Sequence, residues 1–368
     1  MSNGHWNRAS KLLLKAGWTA LSHLAGRRVE EVLLPDSLQP SEWIRRCRGA
    51  HFIEPEWGYI VSKQGHLLED SMSPNDDFYQ ESWKIGMPSI NRFLAIRSTK
   101  TAPLVRVPRV IHLRHWWEWN FYHFHMDVLG RLEMLERHGI GKDVPIVVGR
   151  YASELPFARQ ILKTGNFANR TWIVQDDSWV EADEIIYCRT RSTLGDRAKW
   201  IHEQMGSPWR QNRERRVLLA RPPGSTRSAH NHDAVVELVS EFGFELIDTN
   251  GLSIEEQMRI FANVRYLIAM HGAGMTNILH RAGSRMDLLE VYPSGSKGHD
   301  EFERIAQSLG FNYRKILCET FGEHGRIHDR QIVVDIENLR SAVMEMLGGK
   351  NSEDTLQGAL EDTTRAAA

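Results

Sequence analysis

The stretch Tyr266–Pro293, YLIAMHGAGMTNILHRAGSRMDLLEVYP, constrains the fold more than any other part of the chain. It holds an apolar strand (Tyr266–Met270), a glycine turn (His271–Gly274), a short helix (Met275–His280) and a second apolar strand (Asp287–Tyr292). Gly272 and Gly274 remove two Cβ atoms where strand gives way to helix. A ligand can then come close to the backbone, with the N–H groups of the first helical turn facing it. Those donors and the positive end of the helix dipole point the same way, which suits an anion. Glu290 stands at the carboxyl end of the second strand, where open α/β sheets often place a residue that holds a ribose.

The alternation extends through most of the chain. Ahead of it, Val29–Leu34 reads as a strand, and Trp57–Ser62 with His66–Glu69 as a hairpin. Val105–Leu113 is extended, with Pro108 placing it near an edge or a bend. A helix over Trp119–Arg137 follows, then strands at Val144–Val148, Thr171–Val174 and Glu184–Cys188 with a helix at Glu154–Leu162. In the second half, strands at Val217–Ala220 and Phe244–Ile247 alternate with helices at His232–Phe242 and Ser253–Phe261, the last opened by a Ser253/Glu256 capping box. Helices at Asp300–Leu309 and Ile336–Leu347 close the series. Strands alternating with helices in this way predict parallel sheets covered on both faces. The polar, Pro208-broken run Gly206–Arg216 divides a domain over residues 1–205 from one over 206–347. The small, polar residues 348–368 predict a disordered tail.

With 368 residues the chain is long enough for two cored domains. Lys and Arg number 46 against 47 Asp and Glu, so no basic surplus supports a nucleic-acid partner. Cys47, Cys188 and Cys318 are scattered and odd in number, which fits buried, reduced thiols in a cytoplasmic protein. No apolar run reaches membrane-spanning length. The amino-terminal stretch Ala9–Leu24 reads as an amphipathic helix. Packing on the protein's own core is the preferred reading for it, and peripheral docking on a membrane surface the alternative.

Two segments carry the chemistry. In WEWNFYHFHMDVLGRLEMLERHG, Phe121, Phe124, Val128, Leu132 and Leu135 share an apolar stripe, and Asn120, His123, Asp127 and Arg131 form a polar one beside it. His123 and Asp127 are one turn apart, and a carboxylate beside an imidazole suits removal of a proton from a hydroxyl. The H-x-H-x-D string within this run is not read as a metal site, because a helix sends His123 and His125 to different faces. In RRVLLARPPGSTRSAHNHD, Arg221 ends a strand and Arg227 follows in the loop, with Asn231 opening the next helix. Two guanidiniums beside the glycine turn suit a diphosphate.

These segments carry a resemblance. HGAGMTN, a short helix, GSR, an apolar strand and E-x-Y-P resemble the carboxyl-terminal signature of glycosyltransferase family 61. The helix keeps that family's Asn120, Tyr122, His123, Asp127, Leu129, Arg131 and Leu132, and departs from it at Phe121, Phe124 and Gly130. Arg221, Arg227 and Asn231 resemble its strand-then-arginine segment, into which Pro222–Pro223 is a departure. The resemblance implies an α/β, GT-B-like protein with two Rossmann-like domains facing each other across a cleft. It implies an inverting, metal-independent transferase that moves a sugar from a nucleotide-sugar to a saccharide or other hydroxyl acceptor in polysaccharide or glycoconjugate assembly, with no cofactor. Asp127 and His123 would be catalytic, and Asn120 and Arg131 would lie on the acceptor side. Arg221, Arg227, Asn231, His271, Gly272, Ala273, Gly274, Thr276, Asn277 and Glu290 would bind the donor. No D-x-D carboxylate pair for a divalent metal occurs. The rival reading is a nicotinamide-dependent oxidoreductase using GAGMTN. It fits less well, since Asn277 stands where that fingerprint wants Gly or Ala and the turn does not open its domain.

Overall fold

A computed structural model describes residues 29–32, 43–62, 68, 71, 103–189, 194–206, 214–296, 300–322 and 327–348. The amino-terminal helix, most of the second hairpin arm, most of the 206–216 run and the tail lie outside these residues. The chain forms two compact units. The first comprises Met1–Trp119, Asp127–Leu162 and Ala168–Ser192, and the second Asn120–Met126, Lys163–Phe167 and Thr193–Ala368.

In the first unit a seven-stranded sheet has the order β1-β2-β7-β4-β5-β6, with β3 paired to β2. Its strands are β1 (Val29–Val32), β2 (Trp43–Ile53), β3 (Ile60–Ser62), β4 (Leu104–His112), β5 (Ile146–Gly149), β6 (Trp172–Gln175) and β7 (Trp179–Arg189). Strands β4 to β7 are parallel, while β1, β2 and β3 extend the sheet antiparallel. The sequence reading missed β2, whose three arginines hide its apolar alternation. Two of them, Arg46 and Arg48, join Arg109 of β4 around the single carboxylate of Glu184 on β7. Strand β3 pairs with β2, and of the expected 66–69 arm the described residue Leu68 donates its N–H to the Ile60 carbonyl at 2.8 Å. Pro108 sits in a strand with neighbours on both sides, but β5 pairs with β4 only at Ile111 and His112, so the missing N–H falls where that side of the ladder is open.

In the second unit six strands lie in the order β13-β12-β11-β10-β8-β9. These are β8 (Arg215–Leu219), β9 (Glu245–Ile247), β10 (Val264–Met270), β11 (Asp287–Pro293), β12 (Asn312–Phe321) and the short antiparallel edge β13 (Gln331–Val333). Strand β11 is buried at every position, its Asp287 and Glu290 included, as a central parallel strand covered on both faces is. Connecting helices cover the sheet, including one over His232–Glu241 and one over Ile254–Phe261 whose Ser253/Glu256 capping box is formed. Each unit is thus α/β, a sheet with parallel strands accompanied by helices. No helix among the described residues is long and apolar enough to cross a membrane. Cys47, Cys188 and Cys318 are buried, and no disulfide joins them.

The expected helix over Trp119–Arg137 is three pieces. An α-turn, Phe121–His123, is capped by the Asn120 side chain, which accepts from the N–H groups of Tyr122 and His123. A π-helical stretch, Phe124–Leu129, follows, and α-helix resumes over Gly130–Arg137. His125 supplies a local cause for the wide turn. Its Nδ1–H donates to the Phe121 carbonyl at 2.7 Å, the acceptor that an α-helical His125 N–H would use.

Candidate active site

In the second unit β8 leads to β9 on one side, and the chain then crosses to place β10 on the other. The carboxyl ends of β8 and β10 therefore flank the point where strand order reverses, the usual ligand crevice of an open α/β sheet. Arg221 follows β8 and His271–Gly274 follows β10, so the topology brings the two predicted segments to one edge.

Gly272 is where Arg221 approaches the turn most closely. A Cβ on it would lie 2.2 Å from Nη1 of Arg221, so the guanidinium rests directly on the turn's backbone. At Gly274 an added Cβ would make only ordinary contacts with Leu219 and Thr249. The expected short helix beyond the turn is a 3-10 helix, Ala273–Arg281.

Arg221 donates through Nη2 to Thr226 at 3.2 Å, and Arg227 donates through Nη1 to Nε2 of His328 at 2.9 Å. Since the guanidinium only donates, His328 Nε2 accepts and its Nδ1 carries the proton, which reaches Ser296 at 3.0 Å. The Nε–H groups of both arginines are buried with no hydrogen-bond partner among the described residues. Burial, and then the charge of Arg227, lowers the Arg221 pKa to about 10, against an opposing pull from Asp329. Burial likewise lowers that of Arg227. Arg227 is also the one non-glycine residue among those described with a left-handed backbone, at φ 61°. Such strain concentrates at ligand clamps. Two neighbouring cations with unmet donors at a sheet's ligand edge make a receptor for an anion.

His271 and Glu290 belong to the wall of this site. Glu290 is almost fully buried, and its Oε1 accepts from His271 Nδ1 at 2.5 Å. Its Oε2 accepts from the hydroxyl of Tyr313, with Lys315 Nζ 4.0 Å away. Burial and then the Glu290 charge push the Tyr313 pKa up. With both oxygens already accepting inside the protein, Glu290 orients His271 in the wall of the site. The His271 ring lies 5.3 Å from that of His328.

Several other predicted site residues make contacts inside the fold. The Asn231 amide bonds both N–H and C=O of Val334, fastening the chain after β13. Asn277 is buried and donates to Gln257 and to the Gly274 carbonyl, while Thr276 is equally buried. In the first unit Arg131 donates to the carbonyls of Leu113 and Arg114. Asn120 is the helix cap described above. His123 and Asp127 remain half-buried, one turn apart along the continuous helical run, whereas His125 is fully buried. His328, Ser296, Tyr313 and Lys315 were missed. His328 stands in a short 3-10 turn with no periodic signal to mark it.

His125 also carries a pH dependence. Burial lowers its pKa to about 4, and burial with the charges of His125 and His202 lowers that of His280. Above about pH 6.5 neither folded nor unfolded chain protonates these rings, and their neutral burial costs nothing extra. As pH falls from 6.5 toward 4 the unfolded chain takes up protons that the folded chain refuses, so stability is lost. For His125 the loss is on the order of 3 kcal/mol. Thermal unfolding should show the midpoint falling over this range, with a shallower fall in His125→Asn, whose Nδ2 replaces the ring donor to Phe121.

Residues 121–284 match the family model described as Glycosyltransferase 61, a span that runs from the helix of His123 and Asp127 past the glycine turn. That match spans 164 of the 368 residues and supports a glycosyltransferase like those of family 61. This glycosyltransferase matches no curated protein. Among solved structures it is similar to the E. coli heptosyltransferase WaaC with ADP, at 10% identity and a TM-score of 0.31, over 68% of this chain and 98% of that one. It is also similar to the iron-containing dodecameric glycosyltransferase TibC from enterotoxigenic E. coli H10407, at 7% identity and a TM-score of 0.31, over 81% and 86% of the two chains. The family-model match over residues 121–284, which includes the GAGMTN turn, favours sugar transfer over the oxidoreductase reading.

Proposed function

We propose that this glycosyltransferase works with inversion and without a metal, taking the diphosphate of a nucleotide-sugar at Arg221, Arg227 and the His271–Gly274 turn. The observation that carries the reading is the pair of guanidiniums whose buried Nε–H groups lack partners among the described residues, where strand order reverses. Fixed cations of this kind offset the charge that builds on the leaving diphosphate as the glycosidic C–O bond breaks, the work a divalent ion does elsewhere. Asp127 takes the proton of the attacking acceptor hydroxyl, with His123 beside it on the same helix as the orienting group or the alternative base. The acceptor is a saccharide or other hydroxyl compound in polysaccharide or glycoconjugate assembly.

Product analysis tests this directly. The anomeric signal in proton NMR should show a configuration opposite to the donor's, and the rate should be nearly unchanged in EDTA. Retained configuration contradicts the inverting mechanism. Loss of activity in EDTA, restored by Mn²⁺ or Zn²⁺, contradicts metal independence and revives the H-x-H-x-D string as a ligand set.

A further inference from the structure

The first unit carries a cavity of roughly 490 Å³ that the donor reading does not use. It lies at the carboxyl ends of β4 and β5, the edge at which open parallel sheets bind ligands. The turn between β2 and β3 completes it with Trp57. Its volume falls in the range of small-molecule sites, roughly 300–1,000 Å³.

The floor is rigid. Arg114 and Glu118 are buried and paired at 3.0 Å, and Arg114 also donates to Gln175 at 2.6 Å and to the Pro55 and Glu56 carbonyls. A Cβ on Gly149 would lie 1.6 Å from Glu118 Oε1, and one on Gly58 would lie 2.3 Å from Arg114 Cβ, so both glycines are needed to seat this pair. Buried Glu54 accepts from the N–H groups of Glu56, Trp57 and Tyr59 and fixes the turn that presents Trp57. On this base Trp57 and Trp116 stack at 4.3 Å, while Trp119 is 43% exposed, a large apolar face left toward water. The Trp57 indole N–H is buried with no acceptor among the described residues. Tyr151 and Glu154 supply polar groups beside them.

Tryptophan faces beside carboxylate and hydroxyl groups match the C–H face and hydroxyl rim of a pyranose. The charge of the lining narrows the class. Glu56, Glu118 and Glu154 outnumber Arg114 and Arg150, and each guanidinium already holds a carboxylate: Arg114 that of Glu118, and Arg150 that of Asp177 at 3.3 Å. A uronate or sugar phosphate would bring a further negative charge to this acidic lining.

We propose that this cavity binds the terminal residue of a neutral saccharide acceptor, with Trp116 and Trp119 as the stacking shelf and Glu154 accepting from sugar hydroxyls. The assignment rests on the glycosyltransferase reading of the chain, but not on the donor residues of the second unit.

The test uses the full chain and saturation-transfer NMR with methyl glycosides of glucose, galactose, mannose and N-acetylglucosamine, set against glucuronate and glucose 6-phosphate. At least one neutral glycoside should bind, with saturation strongest on its ring C–H protons, and the two acidic probes should bind at least tenfold more weakly. Trp119→Ala, at an exposed position, and Glu154→Gln should each weaken the neutral sugar about tenfold or more. Nucleoside diphosphate affinity, read by calorimetry on the same samples, should stay within twofold of wild type. Preference for an acidic probe, no binding by any neutral one, or unchanged binding in both variants overturns the assignment. Absence of nucleoside diphosphate binding with neutral-sugar binding intact would instead overturn the donor reading and leave this cavity's role standing.

Discussion

Asp127→Asn should lower turnover by roughly 10²- to 10⁴-fold, the usual contribution of a general base. Asparagine keeps the size and hydrogen-bonding reach of aspartate but cannot take the acceptor's proton. The position is half-buried within the π-helical stretch Phe124–Leu129, so an isosteric change leaves the surrounding packing in place. Nucleoside diphosphate affinity should barely move, because Arg221 and Arg227 belong to the other compact unit. Steady-state kinetics with calorimetry on the same variant separates the two effects. Near-normal turnover in Asp127→Asn with a large loss in His123→Ala transfers the role to the imidazole. Near-normal turnover in both shows that the polar stripe is a solvated helix face.

Arg221→Ala should weaken nucleoside diphosphate binding by about 1.5–3 kcal/mol, the range for a hydrogen bond to a charged group, which corresponds to roughly 10- to 150-fold in affinity. The fold should tolerate the change. The guanidinium's one protein hydrogen bond among those described is to Thr226, and burial already disfavours its charge. Removing it relieves a cost in the empty protein and deletes an attraction in the complex. Gly272→Ala offers an independent route to the same result. Its Cβ would meet the Arg221 guanidinium, the movable end of a long side chain, and displace it from the turn without deleting the charge. An unchanged affinity in both variants would remove the arginine from the donor site.

The second unit was largely legible in the sequence, and the reason is its topology. Buried parallel strands such as β10 and β11 are nearly unbroken apolar runs, and the Ser253/Glu256 box marks a helix start by local chemistry alone. The first unit was less legible, because β2 is held to β7 and β4 partly by arginines gathered on Glu184. Cross-strand ion pairs leave no periodic mark in either strand. The helix of His123 and Asp127 was found, but its π-helical middle depends on a side chain competing for a backbone acceptor, which a helical wheel does not represent.

The site divides the same way. Arg221, Arg227 and the glycine turn were recognisable as anion-binding chemistry, and the strand order brings them to one edge. Asn231 and Asn277 share those motifs and also make hydrogen bonds inside the fold, while buried Thr276 Oγ1 and Asn277 Oδ1 have no hydrogen-bond partner among the described residues. Residue type and spacing do not separate a ligand contact from an internal one. Only the partners do, as when both oxygens of Glu290 prove to be taken by His271 and Tyr313.

The central claim is that the second unit grips a diphosphate through fixed cations. The measurement that tests it most directly is calorimetry of the wild-type protein with five nucleoside diphosphates, UDP, GDP, ADP, CDP and dTDP, each against its own nucleoside. For the base that binds tightest, the diphosphate should exceed the nucleoside by about 100-fold or more, corresponding to two charge-assisted contacts near the low end of their range. A nucleoside that binds as tightly as its diphosphate, or a panel in which no diphosphate binds, would contradict it.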